Sequence, residues 1–166
     1  MKAYVVDSNF FIQAHRATYP LDVAKSFWLK VNELAQSGTI ISIDKVKQEL
    51  FNKNDNLEDW CKGNLPDGFF KDSSTALSEY SKISAWTISK SDHYLPNAIN
   101  EFLDVYEADA FLVAYVLEDV QSRVLVTHEV SDPNRKNKIK MPEPCKHFGV
   151  SYRNTIEMFR ELGITF

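Results

Sequence analysis

The stretch Ala3-Tyr4-Val5-Val6-Asp7 decides the fold, because four apolar residues run without interruption into an acid. A strand that is buried on both faces of a parallel sheet has such a continuous apolar sequence. A second run, Val124-Leu125-Val126-Thr127-His128, is followed directly by Glu129. In open parallel α/β sheets, ligands bind at the carboxyl ends of the strands. The two acids therefore predict a shared site at one edge of a parallel sheet.

The segments between and around these two strands alternate in type. Predicted strands cover residues 3–6, 39–43, 123–128 and 149–152. Predicted helices cover residues 9–16, 22–37, 44–51, 57–62, 73–82, 96–105, 107–117 and 154–162, with one further turn at 145–148. Residues 83–88 fit either a continuation of a helix or a short edge strand. Strands that alternate with helices predict an α/β/α domain with a mostly parallel sheet of four or five strands.

The whole chain is expected to form one domain, residues 1–166, with a helix-rich insertion at about 53–104. The hydrophobic fraction of 44% can supply a core for a chain of 166 residues. Two cysteines are too few for a disulfide framework, which suits a reducing compartment. No signal peptide and no apolar run of membrane-spanning length is evident. We therefore expect a cytoplasmic protein without a membrane partner.

The charge distribution leaves nucleic-acid binding open. The net charge of -4 is unfavourable for it, but the segment 135–140 carries four basic residues, Arg135, Lys136, Lys138 and Lys140. A basic loop on an acidic protein can contact phosphate groups. A solvated loop with no binding role explains the same residues equally well.

Two further acids lie close to apolar helix faces. Asp109 shares its face with Leu112 and Val113, three and four residues later, so it stands at the edge of a buried stripe. Favourable interaction with the helix macrodipole is the simpler explanation of this acid. Glu49 lies next to the inward-facing Leu50 and could equally be a surface residue. Glu129 could be an ordinary loop acid.

Four carboxylates at strand ends and helix starts form the type of ligand set that Mg²⁺ or Mn²⁺ requires. Without a cation, such acids repel one another and raise one another's pKa. With a cation, they can activate a water molecule and stabilise the charge of a phosphoryl transition state. The pattern therefore predicts a divalent metal site.

Four motifs in chain order make this sequence resemble the PIN-domain nucleases, of the kind found in bacterial VapC-type toxins. They are Val5-Val6-Asp7-Ser8-Asn9, Val46-Lys47-Gln48-Glu49-Leu50, Glu107-Ala108-Asp109-Ala110-Phe111-Leu112-Val113-Ala114 and Val124-Leu125-Val126-Thr127-His128-Glu129. The resemblance covers nearly the whole chain. It implies a PIN-like sheet with the strand order 3-2-1-4-5.

The resemblance also implies site residues. Asp7, Glu49 and Asp109 match the acids that bind the metal in that family, and Glu129 matches a fourth catalytic position. The family commonly carries Asp there, so Glu129, with Thr127 two residues before it, matches least well. Ser8 matches a residue that orients the first acid, and Asn9 would add a polar group.

The implied function is a Mg²⁺- or Mn²⁺-dependent endoribonuclease that hydrolyses RNA phosphodiesters. Its expected role is the toxin of a type II toxin–antitoxin pair. The expected partners are RNA, a cognate antitoxin and, in a homodimer, a second copy of the chain. A PIN-like module that has lost catalysis and only binds protein or RNA is the alternative. Exposed aromatic residues at 53–104 would supply a partner surface or fill a second small core; they are Trp60, Phe69, Phe70, Tyr80 and Trp86.

Other site types fit less well. A haloacid-dehalogenase-like phosphatase would require a second Asp two residues after Asp7, where this chain has Asn9. A receiver domain would require an acceptor Asp at the end of a middle strand, which is missing. Cys145 and His147 alone are too few ligands for a zinc site.

Overall fold

Five strands form one all-parallel sheet in the order β3-β2-β1-β4-β5 in the computed structural model, which describes residues 1–166. The strands are β1 (Ala3–Val6), β2 (Ile40–Ile43), β3 (Phe70–Lys71), β4 (Arg123–Val126) and β5 (Tyr152–Arg153). The flanking helices are α1 (Ser8–Gln13), α2 (Lys25–Gln36), α3 (Asp44–Leu50), α4 (Asn56–Asn64), α5 (Leu77–Ser89), α6 (Pro96–Phe102), α7 (Asp109–Glu118), α8 (Pro142–Phe148) and α9 (Thr155–Leu162). The predicted α/β architecture and its strand order are confirmed.

The sheet order changes direction between β1 and β4. After β1 the chain adds β2 and β3 on one side of that strand, and β4 and β5 lie on its other side. The register aligns Val6 with Val126, so β1 and β4 end side by side. Such a switch point opens a crevice at the carboxyl ends of the two strands, which is where ligands bind in this class of sheet.

Several segments differ from the sequence-based prediction, and one segment that it left open is helical. Residues 70–71 form strand β3, where no strand was predicted, because a strand of two residues is too short to show a periodic pattern. It is aligned by the turn at 66–68 and by a hydrogen bond from the Ser42 N–H to the Phe69 carbonyl. The ambiguous segment 83–88 is helical, as part of α5. The long predicted helix 22–37 begins later, at Lys25.

Helix α7 lies at the centre of the core. All of its residues from Ala110 to Val116 are buried, and it contacts α5, β4 and α8. Continuous burial of this kind explains why the helix carries almost no polar residue after its first position. Because α7 cannot shift without exposing this apolar surface, Asp109 at its start is held in a defined place.

Two alternatives were left open for the aromatic residues of 53–104, a partner surface and a second small core, and their burial favours a core role. Phe69 and Trp86 are buried, and Trp60, Phe70 and Tyr80 pack, partly buried, against the same core. The Tyr80 ring, for example, stacks on Phe111 with centroids 4.3 Å apart. These side chains fill the main core of the protein. None of the helices combines the length and the apolar character that crossing a membrane requires.

Candidate active site at the carboxyl edge of the sheet

Asp7 is the most deeply buried acid of the predicted set, with 3% of its surface exposed. It caps the N-terminus of α1 by accepting a hydrogen bond from the Phe10 N–H at 3.0 Å. Its own N–H donates to the Val126 carbonyl, which fixes the end of β1 against the end of β4. Burial raises the pKa of Asp7 to about 7. The charges of Glu129 and Glu49 also raise this pKa, whereas hydrogen bonds from the Phe10 N–H and the Thr127 hydroxyl lower it. Asp7 is thus a buried carboxyl that takes up a proton readily.

Glu49 links three parts of the site. The Ser8 hydroxyl donates to its Oε2 at 2.6 Å, and the Ala108 N–H donates to its Oε1 at 3.1 Å. The carboxylate of α3 therefore connects the start of α1 to the start of α7. Ser8 orients Glu49 in this structure, whereas the family resemblance assigns it to the first acid.

Asp109 is the first residue of α7 and makes no side-chain capping hydrogen bond. Burial by the surrounding elements raises the pKa of Asp109 well above its usual range, and the charges of Glu129, Asp7 and Glu49 raise it further. The charge of Lys138 acts in the opposite direction. The four predicted acids therefore lie close enough to act on one another electrostatically.

Glu129 is held by the backbone around it. Its N–H donates to the buried Thr127 hydroxyl oxygen at 3.1 Å, and its Oε2 accepts from the Met141 N–H at 3.1 Å. Thr127 is the polar residue that directly follows β4, and it lies beside Asp7. The two residues predicted from the second apolar run are therefore part of the same edge as Asp7.

Only one residue of the basic loop reaches the acids. Lys138 is half-buried and forms an ion pair with Glu101 of α6 at 3.4 Å. A cavity of about 30 Å³ lies between them and is bordered by Asp109 and Glu107. Burial lowers the pKa of Lys138, but the charges of Asp109, Glu101 and Glu129 raise it by more, so the net shift is upward.

The other predicted polar residues lie outside this cluster. Arg135 and Lys136 are exposed, and Arg135 donates to Asn137 at 2.8 Å. Lys140 is half-buried, and Asn9 is exposed on α1 without a side-chain hydrogen bond. Of the four basic residues predicted to bind substrate, only Lys138 lies next to the acids.

The sequence did not point to Glu101 and Glu107 as part of the site. Glu107 belongs to the third motif, one residue before Ala108, and burial followed by the charge of Glu49 raises its pKa. Its place inside that motif could have identified Glu107 as a site residue from the sequence. Glu101 lies on a short amphipathic helix and resembles any surface acid, so nothing in the local sequence distinguishes it.

The site has the chemistry but not yet the geometry of a metal centre. Its donors are carboxylate oxygens, which suit a hard divalent cation. However, no three His, Cys, Asp or Glu side chains stand close enough together to hold one ion. Glu49 Oε1 and Glu129 Oε2 each already accept a hydrogen bond from a backbone N–H group.

Comparison with known proteins identifies the family. No curated protein and no solved structure gives a significant match to this chain. A family model described as a domain of unknown function, DUF4411, matches residues 4–166, which include all the acids of the site. The chain therefore belongs to the DUF4411 family.

Proposed function

We propose that this protein is a PIN-like, Mg²⁺- or Mn²⁺-dependent endoribonuclease that hydrolyses RNA phosphodiester bonds. The observation that carries the proposal is the group of mutually repelling carboxylates at the switch point of the sheet. Asp7 and Asp109 have raised pKa values there because they are buried next to Glu49 and Glu129. Strongly perturbed acids in a crevice are typical of catalytic sites. A divalent cation would remove the repulsion that the fold otherwise tolerates.

Each residue has a role in this proposal. Asp7 and Asp109 would hold the cation together with Glu49, and Glu129 would orient the attacking water. The cation would supply water activation and charge stabilisation at the phosphoryl group. Ser8 and the Ala108 N–H position Glu49, while Thr127 positions Glu129. Lys138 lies where it can neutralise a phosphate oxygen of the substrate.

The biological setting that we propose follows from the resemblance to toxin nucleases. The protein would act in the cytoplasm as the toxin of a type II toxin–antitoxin pair. Its partners would be RNA, a cognate antitoxin and, in a homodimer, a second copy of the chain. The basic loop at 135–140, of which Arg135 and Lys136 are exposed, would contact the RNA backbone.

A catalytically inactive PIN-like binding module is the second candidate. The observation that favours it is that Glu49 and Glu129 already have structural roles, since they accept hydrogen bonds from the Ala108 and Met141 N–H groups. If these bonds persist when metal and RNA bind, fewer carboxylate lone pairs remain for a cation. The fold would then present RNA- or protein-binding surfaces without cleavage.

Cleavage of a labelled single-stranded RNA with and without Mn²⁺ separates the two candidates. We expect cleavage that a chelator abolishes and that Asp109→Asn lowers at least a hundredfold. Asp119→Asn is a matched control, because Asp119 caps the opposite end of the same helix. RNA that is bound but stays intact at saturating Mn²⁺ would support the binding module. Growth arrest on expression, relieved by Asp7→Asn, would test the toxin role.

A further inference from the structure

A cleft of about 500 Å³ opens directly beside Glu129, outside the carboxyl ends of β4 and β5. One wall is the loop 127–131 that follows β4. The other wall runs from Tyr152 on β5 to the first turn of α9. The volume lies within the roughly 300–1,000 Å³ that ligand pockets occupy. Because Thr127 and Glu129 belong both to the acidic site and to this cleft, the two are continuous.

The walls of the cleft present apolar groups to solvent. Val130 is 76% exposed on the loop, and Ile156 is 42% exposed on α9. Tyr152 lines the second wall, where it is half-buried and packs against the hydrophobic core while part of its side chain stays accessible to the cleft. A single exposed aliphatic side chain is ordinary on a protein surface. Two that border one cleft together with a partly accessible aromatic ring suit a flat, apolar-faced ligand.

The charged side chains of the cleft do not favour a phosphate group as that ligand. No Lys or Arg lines it, burial lowers the pKa of its one histidine, His128, and both Glu129 and Glu157 line it. Each of these carboxylates has one oxygen in use, since Glu129 Oε2 accepts from the Met141 N–H and Glu157 Oε2 accepts from the Asn154 N–H. The second oxygen of Glu157 can accept a hydrogen bond from a ligand amino group, while that of Glu129 is left for the attacking water. Carboxylates accept hydrogen bonds from base amino groups in this way, as with the N4 amino group of cytosine.

We propose that this cleft binds one nucleobase of the RNA substrate, stacked on Tyr152 between Val130 and Ile156, with a preference for bases that carry an exocyclic amino group. The inference rests on the proposed ribonuclease function and deepens it, because it names the part of the substrate that lies beside the acids. Single-stranded RNA is commonly recognised through unstacked bases that lie against aromatic side chains. The phosphates would run toward Lys138, which does not line the cleft and whose charge interacts with that of Glu129.

Free nucleosides test the cleft independently of cleavage, because they contain no phosphate and no scissile bond. We expect adenosine and cytidine, titrated into the ¹⁵N-labelled protein, to shift the amide resonances of Val130, Tyr152 and Ile156. Uridine, which lacks an exocyclic amino group, should bind several-fold more weakly. The amide of Val23 is the internal control, because Val23 is also 76% exposed but does not line the cleft.

Variants sharpen the test. Tyr152→Leu keeps an apolar side chain in the second wall and should weaken adenosine binding by about tenfold, the range expected for loss of base–aromatic stacking. Val130→Ser should also weaken binding, and it lies on an exposed loop where folding is not at risk. Val23→Ser is the matched control and should have no effect.

The outcomes distinguish this inference from the proposed function. Absence of shifts at the three cleft amides, or equal shifts at Val23, would overturn the base site, even if the unaltered protein cleaves RNA. Equal binding of uridine and cytidine would overturn the carboxylate-based preference. Nucleoside binding in the cleft by a protein that cleaves no RNA would support the base site and count against the ribonuclease.

Discussion

The buried carboxyl of Asp7 should make the stability of the metal-free protein fall as the pH rises. Burial is the main reason that its pKa is raised from 3.8 to about 7 in the folded protein. The unfolded chain loses this proton near pH 4, so between about pH 4 and pH 7 the folded state binds more protons than the unfolded state. The free energy of unfolding therefore decreases across that interval and is constant above it.

The size of the effect follows from the two pKa values. They differ by about 3 pH units, and each unit corresponds to about 1.4 kcal/mol, so the ionised carboxyl costs on the order of 4 kcal/mol at pH 8. Solvent screening reduces this little, because only 3% of Asp7 is exposed. Asp109 titrates in the same direction and interacts with Asp7, so the two effects are not additive.

Asp7→Asn isolates this charge. Asparagine keeps the oxygen that accepts from the Phe10 N–H, so the cap of α1 is preserved. In urea unfolding with a chelator present, we expect the free energy of unfolding of the variant to be a few kcal/mol higher than that of the unaltered protein at pH 8. The difference should shrink toward pH 4, where the carboxyl is neutral in the folded state and only partly ionised in the unfolded chain.

The matched control is Asp55→Asn. Asp55 caps α4 through the same type of bond, from the Glu58 N–H at 2.8 Å, but it is only half-buried. The Asp55→Asn variant should show no comparable gain in the free energy of unfolding at pH 8. An Asp7→Asn variant that is less stable than the unaltered protein at pH 8 without metal would refute the reasoning. Excess Mn²⁺ should reduce or reverse the difference in stability between Asp7→Asn and the unaltered protein, because Mn²⁺ stabilises only the protein that retains the carboxylate.

Three further substitutions test other parts of the structure. Glu49→Ala should lower the free energy of unfolding by about 1–3 kcal/mol in urea, because the Ala108 N–H loses its acceptor; an unchanged midpoint would mean that Glu49 does not hold α7. Lys138→Gln should raise Mn²⁺ affinity in calorimetry and weaken RNA binding in a filter assay, because it removes the cation that faces Asp109; weaker metal binding would contradict this. Asn154→Ala should cost about 1 kcal/mol of stability in thermal unfolding through loss of the capping box of α9, and equal melting temperatures would argue against that cap.

The sequence by itself determined the parallel sheet and the positions of its two central acids. Val5 and Val126 lie in continuous apolar runs, and burial of such runs is a local property that can be read residue by residue. The positions of Asp7 and Glu129 at the sheet edge could be predicted because each acid comes after the end of one of these runs. Asp109 is similar, because the apolar face of its helix is visible in its own sequence.

Only the tertiary structure decided how those acids are connected and what surrounds them. Lys138 meets Glu101 across 37 positions of sequence, and Glu49 reaches the Ala108 N–H across 59. Strand β3 exists only because β2 offers it a hydrogen-bonding edge, and the cleft at Val130 exists only because β5 and the start of α9 lie beside the loop that follows β4. Such contacts depend on how elements that are distant in the sequence pack in space, and no local pattern of residues specifies that packing.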